Sequence, residues 1–300
     1  MIAMMSEHND ILRPQFGGLE PEFSDPQRSA FAVLPVAYDA TSSWMKGADR
    51  GPAALLNASA NMELYDIETQ SEVYRRGICT LEPIEFDGAP EALADMVDEQ
   101  VKGVVSRGQI PVVLGGEHSV SIGAIRAVSR AVKGVSVLQI DAHGDTRDSY
   151  LGSKFNHACV MARAMEWCPV VQVGIRAIDV EETKRIDRDR VFFAHEVVNQ
   201  PTTEWMDRAI SKLTDDVYVT IDLDAFDPSY VPSTGTPEPG GFNWYEVNAF
   251  LSRVCETRRI VGFDVVELLP TQYHWASDFF AAKLVYRIMS MIGAAMPDGA

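Results

Sequence analysis

Three short stretches concentrate the residues that could do chemistry. "GGEHS" (115–119) places His118 behind a glycine pair. "DAHGD" (141–145) carries Asp141, His143 and Asp145, and "DLDAFDP" (222–228) carries Asp222, Asp224 and Asp227 before Pro228. Residues at i, i+2 and i+4 share one face of an extended chain. Asp141 and Asp145 are therefore expected to converge with His143 between them, and Asp222 with Asp224. Carboxylates crowded this way repel, and one must hold a proton unless a cation neutralises them. A solvated acidic loop accounts for any one such stretch, and a lone His118 reads as structural. Two strand ends built alike, with a histidine on a third, point instead to a metal site. Six candidate ligands, His118, Asp141, His143, Asp145, Asp222 and Asp224, exceed the four usual around one zinc ion. Carboxylates and imidazoles without a thiolate suit Mn²⁺, with Zn, Ni, Co or Fe as alternatives. Two metals sharing carboxylates can make a nucleophilic hydroxide from water at neutral pH.

Such a site needs elements that end together. Val- and Ile-rich runs at 30–36, 110–116, 135–140, 170–175, 190–196, 216–221 and 259–268 mostly lack apolar/polar alternation. They predict strands buried on both faces, as in a parallel sheet. Amphipathic stretches at 91–107, 119–132, 158–167, 202–213, 244–257 and 276–292 predict helices between them, with Ser119 capping the second. This alternation predicts an α/β fold with helices covering a parallel sheet, and in such sheets sites form at the carboxyl ends of strands. Residues 1–28, polar and proline-punctuated, read as an N-terminal arm, and 29–300 as a single domain.

The 300 residues carry a net charge of −17. That argues against nucleic acid and anionic membranes as partners, since both need a basic footprint; a cationic small molecule suits the field. Cys79, Cys159, Cys168 and Cys255 form no CxxC pair or disulfide framework, which with the lack of a signal-peptide pattern predicts a cytoplasmic protein. No run of 18 uncharged apolar residues predicts a membrane span.

The three stretches occur in the order and spacing of the ureohydrolase family, the arginase and agmatinase group, which the chain resembles from about 35 to 290. Further matches are "YDATSSWMKGADRGPAALLNAS" (38–59), "VGIR" (173–176), "PSTGTPEPGG" (232–241) and "GFDVVELLP" (262–270). The resemblance implies a three-layer α/β/α fold around a mostly parallel, about eight-stranded sheet, two Mn²⁺ ions per chain, and a homo-oligomer, trimer or hexamer. It implies that His118, Asp141, Asp145 and Asp222 hold one metal, that His143, Asp141, Asp222 and Asp224 hold the other, and that Asp141 and Asp222 bridge. It further implies that Glu267 accepts hydrogen bonds from a guanidinium, that Asp145 carries a proton to the leaving amine, and that His157 shuttles protons. Many relatives have His-Gly where this chain has His157-Ala158.

Substrate choice is read from "DTRDSYLGSKFNH" (145–157). Arginases hold the substrate α-carboxylate there with an Asn and a Ser, but the Asn position is Arg147, which weakens an arginase reading. Arg147 could bind the carboxylate of guanidinobutyrate or guanidinopropionate, whereas Asp148 and Asp179 could meet a cationic tail. The N-terminal motif and "NHACVMARAME" are more similar to agmatinases, so the expected reaction is agmatine plus water to putrescine plus urea. Guanidinobutyrase, guanidinopropionase, formimidoylglutamase, guanidine hydrolase and arginase are the alternatives within the family. A hydrolase of amides or phosphate esters and a non-catalytic relative are alternatives outside that chemistry. The loop 232–241 lacks the lysine of a phosphate loop and is expected to shape the site wall.

Overall fold

All seven predicted runs enter one sheet of nine strands, and every ladder in it is parallel. The computed structural model describes residues 15–297. The strands are β1 (Phe31–Ala37), β2 (Ile78–Thr80), β3 (Ile84–Glu85), β4 (Ile110–Gly115), β5 (Ser136–Ile140), β6 (Val170–Ile175), β7 (Val191–Phe193), β8 (Asp216–Asp222) and β9 (Arg259–Val266). The order across the sheet is β2-β1-β4-β9-β8-β5-β6-β7, with β3 also on β1. β2 and β3 are too short to leave a pattern in the sequence, which explains why only seven strands are legible there. The predicted run 190–196 stays in the sheet only to Phe193. The chain then turns into a short helix, in which the Glu196 carboxylate accepts the Phe193 N–H.

The helices are α1 (Gly51–Ser59), α2 (Pro90–Ser106), α3 (Val120–Ala131), α4 (Val160–Ala164), α5 (Ala194–Val197), α6 (Glu204–Ile210), α7 (Trp244–Thr257) and α8 (Ala276–Ala295). Side chains alternate faces along each strand. Val112 and Leu114 thus join one core with α1, α6, α7 and α8, while Val113 joins the other with α2, α3 and α4. Both sheet faces are covered, giving three layers, and burial on both faces is why the strands read as unbroken apolar runs. α1 has no predicted counterpart because its Ala/Leu run lacks polar punctuation. Of the N-terminal arm, residues 1–14 lie outside the described residues. Phe16 is fully buried, and its N–H donates to Thr80 Oγ1 at 2.9 Å.

Candidate active site

In a sheet with only parallel ladders all carboxyl ends lie on one edge. The residues singled out in the sequence leave that edge from neighbouring strands. His118 follows β4, Glu267 follows β9, Asp222 ends β8 and Asp141 follows β5, and these four strands are consecutive in the sheet.

The strand alternation expected for the acidic stretches does not continue into them. Asp141 Oδ1 accepts the His143 N–H at 2.6 Å, and Asp222 Oδ1 accepts the Asp224 N–H at 2.9 Å. Each aspartate thus caps the backbone two residues on, a local turn that ends the strand. Asp145 sits at φ 51°, left-handed for a residue with a side chain. These turns send alternate ligands to different places. His118, Asp141 and Asp145 form one group that could hold a metal ion, and Asp141, His143 and Asp224 form a second. Asp141 is common to both, and Asp222 Oδ2 lies 3.5 Å from His118 Nδ1.

His118 shows how well this donor set fits a cation. Its Nε2 lies 2.9 Å from Thr220 Oγ1, and that hydroxyl donates to Asp264 Oδ1 at 2.6 Å. Thr220 has one proton, given to Asp264, so it accepts from Nε2–H. In the neutral ring the lone pair then falls on Nδ1. That atom is buried and makes no hydrogen bond, yet it lies 3.2 Å from Asp141 Oδ2, 3.0 Å from Asp145 Oδ2 and 3.5 Å from Asp222 Oδ2. A lone pair facing three carboxylates is repulsive unless a cation or a proton stands among them. Separations near 3 Å are those of ligands sharing an ion about 2.1 Å from each. On the other side His143 Nδ1 lies 2.9 Å from Asp224 Oδ2, and its Nε2 points toward Glu238 at 3.9 Å.

Electrostatics carry the same message. Burial pushes the Asp141 carboxyl up to about 7, helped by the charges of Asp224 and Asp145. Burial, Asp224 and Asp141 likewise hold Asp222 well above the usual range. Burial alone would lower both imidazoles; facing carboxylates outweigh it and raise His118 and His143 well above normal. Asp224 is held low against its burial, chiefly by His143. Without a cation the cluster takes up protons instead. Asp141 holds more protons folded than unfolded between the ordinary aspartate range and about 7, so its contribution to stability falls as pH rises through that window. Metal binding also strengthens as its ligands deprotonate. The difference in Tm between Mn²⁺-loaded and chelated protein is therefore expected to grow from pH 5 to pH 8. A difference that stays flat or shrinks would contradict this account of the cluster.

Glu267 stands just past β9 at φ 66°. Its N–H donates to Gly116 O at 2.8 Å, and its Oε1 accepts the His118 N–H at 2.8 Å. Gly116 must lack a side chain here, since a Cβ would lie 1.9 Å from Tyr38 O. Oε2 carries no hydrogen bond among the described residues. Burial first, then the charge of Glu117, raises this carboxyl well above normal, as expected of an acid awaiting a cationic partner.

A cavity of about 390 Å³ opens onto these groups, lined by His118, His143, Asp145, His157, Asp222 and Glu267 among others. Arg147 and Asp179 also line it, but as partners: Arg147 Nη2 lies 3.5 Å from Asp179, its Nε 3.6 Å from Glu182, and its guanidinium stacks on Tyr150. Asp148 is the predicted residue that the fold does not bring here. Its carboxylate turns to Arg163 at 2.8 Å and Lys154 at 3.5 Å, and the buried Arg163 also pairs with Glu166 at 3.1 Å. Ser119 starts α3 without capping it; its hydroxyl donates to Glu117 Oε1 at 2.7 Å. A larger groove of about 940 Å³ lies at the opposite edge, beside Ile110 and Arg259 at the amino ends of β4 and β9, with no cluster of ligand residues.

The loop 232–241 does form a wall, through Thr236 and Glu238. Asp227 holds its two ends together, accepting the N–H groups of Ser229, Gly240 and Gly241; the Ser229 side chain first, then these N–H groups, lower its carboxyl to about 2. Arg176 donates to Asp224 O, Glu238 O and Pro239 O, tying the loop to the end of β8.

Comparison with known proteins matches this chain to the arginase family model over residues 29–291. The chain belongs to the arginase family. This arginase-family ureohydrolase is 41% identical over 276 residues to an N(1)-aminopropylagmatine ureohydrolase of Synechocystis sp., covering 88% of this chain and 90% of the relative. It is 30% identical to an agmatinase of Pyrococcus horikoshii, over 89% of this chain and 93% of that one. Among solved structures it is similar to an agmatine ureohydrolase of Thermoplasma volcanium, with a TM-score of 0.82 and 32% identity over 90% of this chain and 92% of that one. In this arginase-family protein no helix among the described residues is long and apolar enough to cross a membrane. Sequence reasoning missed Glu182 and Glu238. Glu182 accepts the N–H groups of Thr146 and Asp179 and so holds both segments beside the cavity. Glu238 had a weak signal, as the one charged residue in a glycine- and proline-rich loop.

Proposed function

We propose that this ureohydrolase acts on agmatine extended by an aminopropyl group, releasing urea and spermidine, with agmatine the poorer substrate and two Mn²⁺ ions as its metals. The charge of the cavity wall carries this reading. Beyond the ligand residues the lining holds Asp179, Glu182, Glu238 and Glu267 against Arg147, leaving three negative charges uncompensated. Aminopropylagmatine brings a guanidinium and two ammonium centres; agmatine brings only one ammonium. Arg147 stays between Asp179 and Glu182, so it offers no free cation to a carboxylate, and arginine and guanidino acids are disfavoured. The Synechocystis relative, named for the extended substrate, supports the same choice.

The chemistry follows from the residues. Two divalent cations, when bound, supply Lewis acidity and make water nucleophilic at neutral pH. Glu267 Oε2 accepts hydrogen bonds from the guanidinium, whose planar fork of donors suits a carboxylate. This orients the guanidino carbon toward the ligand cluster. Water adds to that carbon, Asp145 accepts its proton, and the C–N bond to the alkyl chain breaks as the proton passes to the leaving amine. His157, on the cavity wall, exchanges protons with solvent. Glu238 and Asp179, both partly exposed, receive the ammonium groups.

Urea release by purified protein with Mn²⁺ tests the reading. Hydrogen bonds to charged groups contribute about 1.5–3 kcal/mol, so kcat/KM is expected to favour aminopropylagmatine over agmatine by ~10- to 100-fold. Glu238→Gln and Asp179→Asn should each shrink that preference. Equal or better turnover of agmatine would reject the extended substrate, and turnover of neither would reject the amine class.

A further inference from the structure

Glu117, beside Glu267 at the carboxyl ends of β4 and β9, has no part in the ligand groups, yet it is fully buried. Its hydrogen bonds lead away from the cluster. Oε2 accepts the Ser119 N–H at 2.9 Å, and Oε1 accepts the hydroxyls of Ser119 at 2.7 Å and Thr41 at 2.9 Å. Thr41 lies in the loop after β1 and is almost wholly buried. Its Oγ1 also accepts the His157 backbone N–H at 3.1 Å and lies 3.1 Å from His157 Nδ1. Three segments distant in sequence thus meet at one hydroxyl.

We infer that Thr41 and Glu117 act as a positioning relay for His157: they fix its neutral ring with the proton on Nδ1 and leave Nε2 as the basic nitrogen. A threonine hydroxyl donates once and accepts twice. The single proton goes to Glu117 Oε1, every one of whose other bonds is also accepted. One lone pair takes the His157 N–H, so the remaining one takes Nδ1–H. The opposite tautomer would set the Nδ1 lone pair against that oxygen lone pair at 3.1 Å. The two contacts from His157 to Thr41, one from backbone and one from ring, also lock the ring's rotation. His157 lines the cavity with its ring edge against Tyr150, at 6.0 Å between centroids. A shuttle needs one nitrogen free to take a proton and a stable orientation in which to take it, and the relay provides both. The catalytic meaning of the relay rests on the guanidine hydrolysis proposed above; the tautomer itself does not.

Two readouts keep these apart. The first is ¹⁵N NMR of histidine-labelled protein in buffer containing diamagnetic Mg²⁺, with the His157 signals assigned by their loss in His157→Gln. Wild type is expected to show protonated Nδ1 and unprotonated Nε2; Thr41→Val, of equal shape, loses this preference and Thr41→Ser keeps it. Protonated Nε2 in wild type overturns the relay whether or not the enzyme hydrolyses the proposed substrate. The second is kinetic. Loss of a residue that orients a functional group costs ~10- to 100-fold, so Thr41→Val should lower kcat by that factor with KM and Mn²⁺ content unchanged, and Thr41→Ser should restore it. Thr41→Val combined with His157→Ala should be no slower than His157→Ala alone. Additive losses in the pair, or kcat within twofold of wild type in Thr41→Val, would assign Thr41 a purely structural role.

Discussion

Glu267→Gln is expected to lower kcat/KM for the guanidino substrate by ~10²- to 10³-fold, the usual cost of one group aimed at developing charge in a water-excluded site. Glutamine keeps an oxygen for the His118 N–H, so the local backbone is held, but it replaces the other oxygen with an N–H₂ that cannot accept from a guanidinium. Metal content should stay at the wild-type value, since Glu267 belongs to neither ligand group. Burial and Glu117 hold this carboxyl high in the free protein, and a guanidinium beside it reverses that by supplying the missing charge. A companion measurement uses the backbone. Glu267 occupies φ 66°, which costs a residue with a side chain about 1 kcal/mol more than glycine. Glu267→Gly should therefore unfold at a higher temperature than Glu267→Ala, although both lose turnover. Near-normal turnover of Glu267→Gln would remove this residue from the reaction.

Asp141→Asn is expected to abolish detectable urea release, a loss of at least ~10³-fold, because the metal term is worth several kcal/mol and each 1.4 kcal/mol is tenfold. Asp141 is common to both ligand groups, so Mn²⁺ bound per chain should fall from about two to one or fewer. The sign of the stability change separates a ligand from an ordinary buried residue. Asp141 is crowded by Asp224 and Asp145, and burial pushes its carboxyl up to about 7. Neutral asparagine relieves that repulsion. In chelator at pH 8 the variant should therefore match or exceed the Tm of the wild type, and with Mn²⁺ the order should reverse. A variant that keeps two metals and its turnover would refute the shared role of Asp141.

The candidate ligand residues were legible because two independent demands met in local sequence. Apolar strands had to end where hydrated chemistry begins, and each end carried carboxylates at short spacing. How those candidates divide was implied by the family resemblance but was not legible in their spacing. Spacing at i, i+2 and i+4 predicts one shared face, but Asp141 and Asp222 cap their own backbone and Asp145 turns left-handed, which sends neighbours to different groups. The helices at 91–107, 244–257 and 276–292 lie within a few residues of their structural limits because long amphipathic runs have a period. The two-residue β3 and three-residue β2 have none.

By itself the sequence determined the parallel α/β architecture and singled out residues at strand ends that the fold gathers into two groups able to hold a metal ion, since those follow from which residues can be buried together and which cannot. Tertiary structure decided the rest. It placed β4, β9, β8 and β5 side by side, it assigned Arg147 to Asp179 and Glu182 and Asp148 to Arg163, and it joined Thr41 to Glu117 and His157. Each of these depends on which charged or hydrogen-bonding groups meet from separate segments of the chain. No local spacing encodes that meeting; it is set by how the sheet orders its strands and closes its two cores.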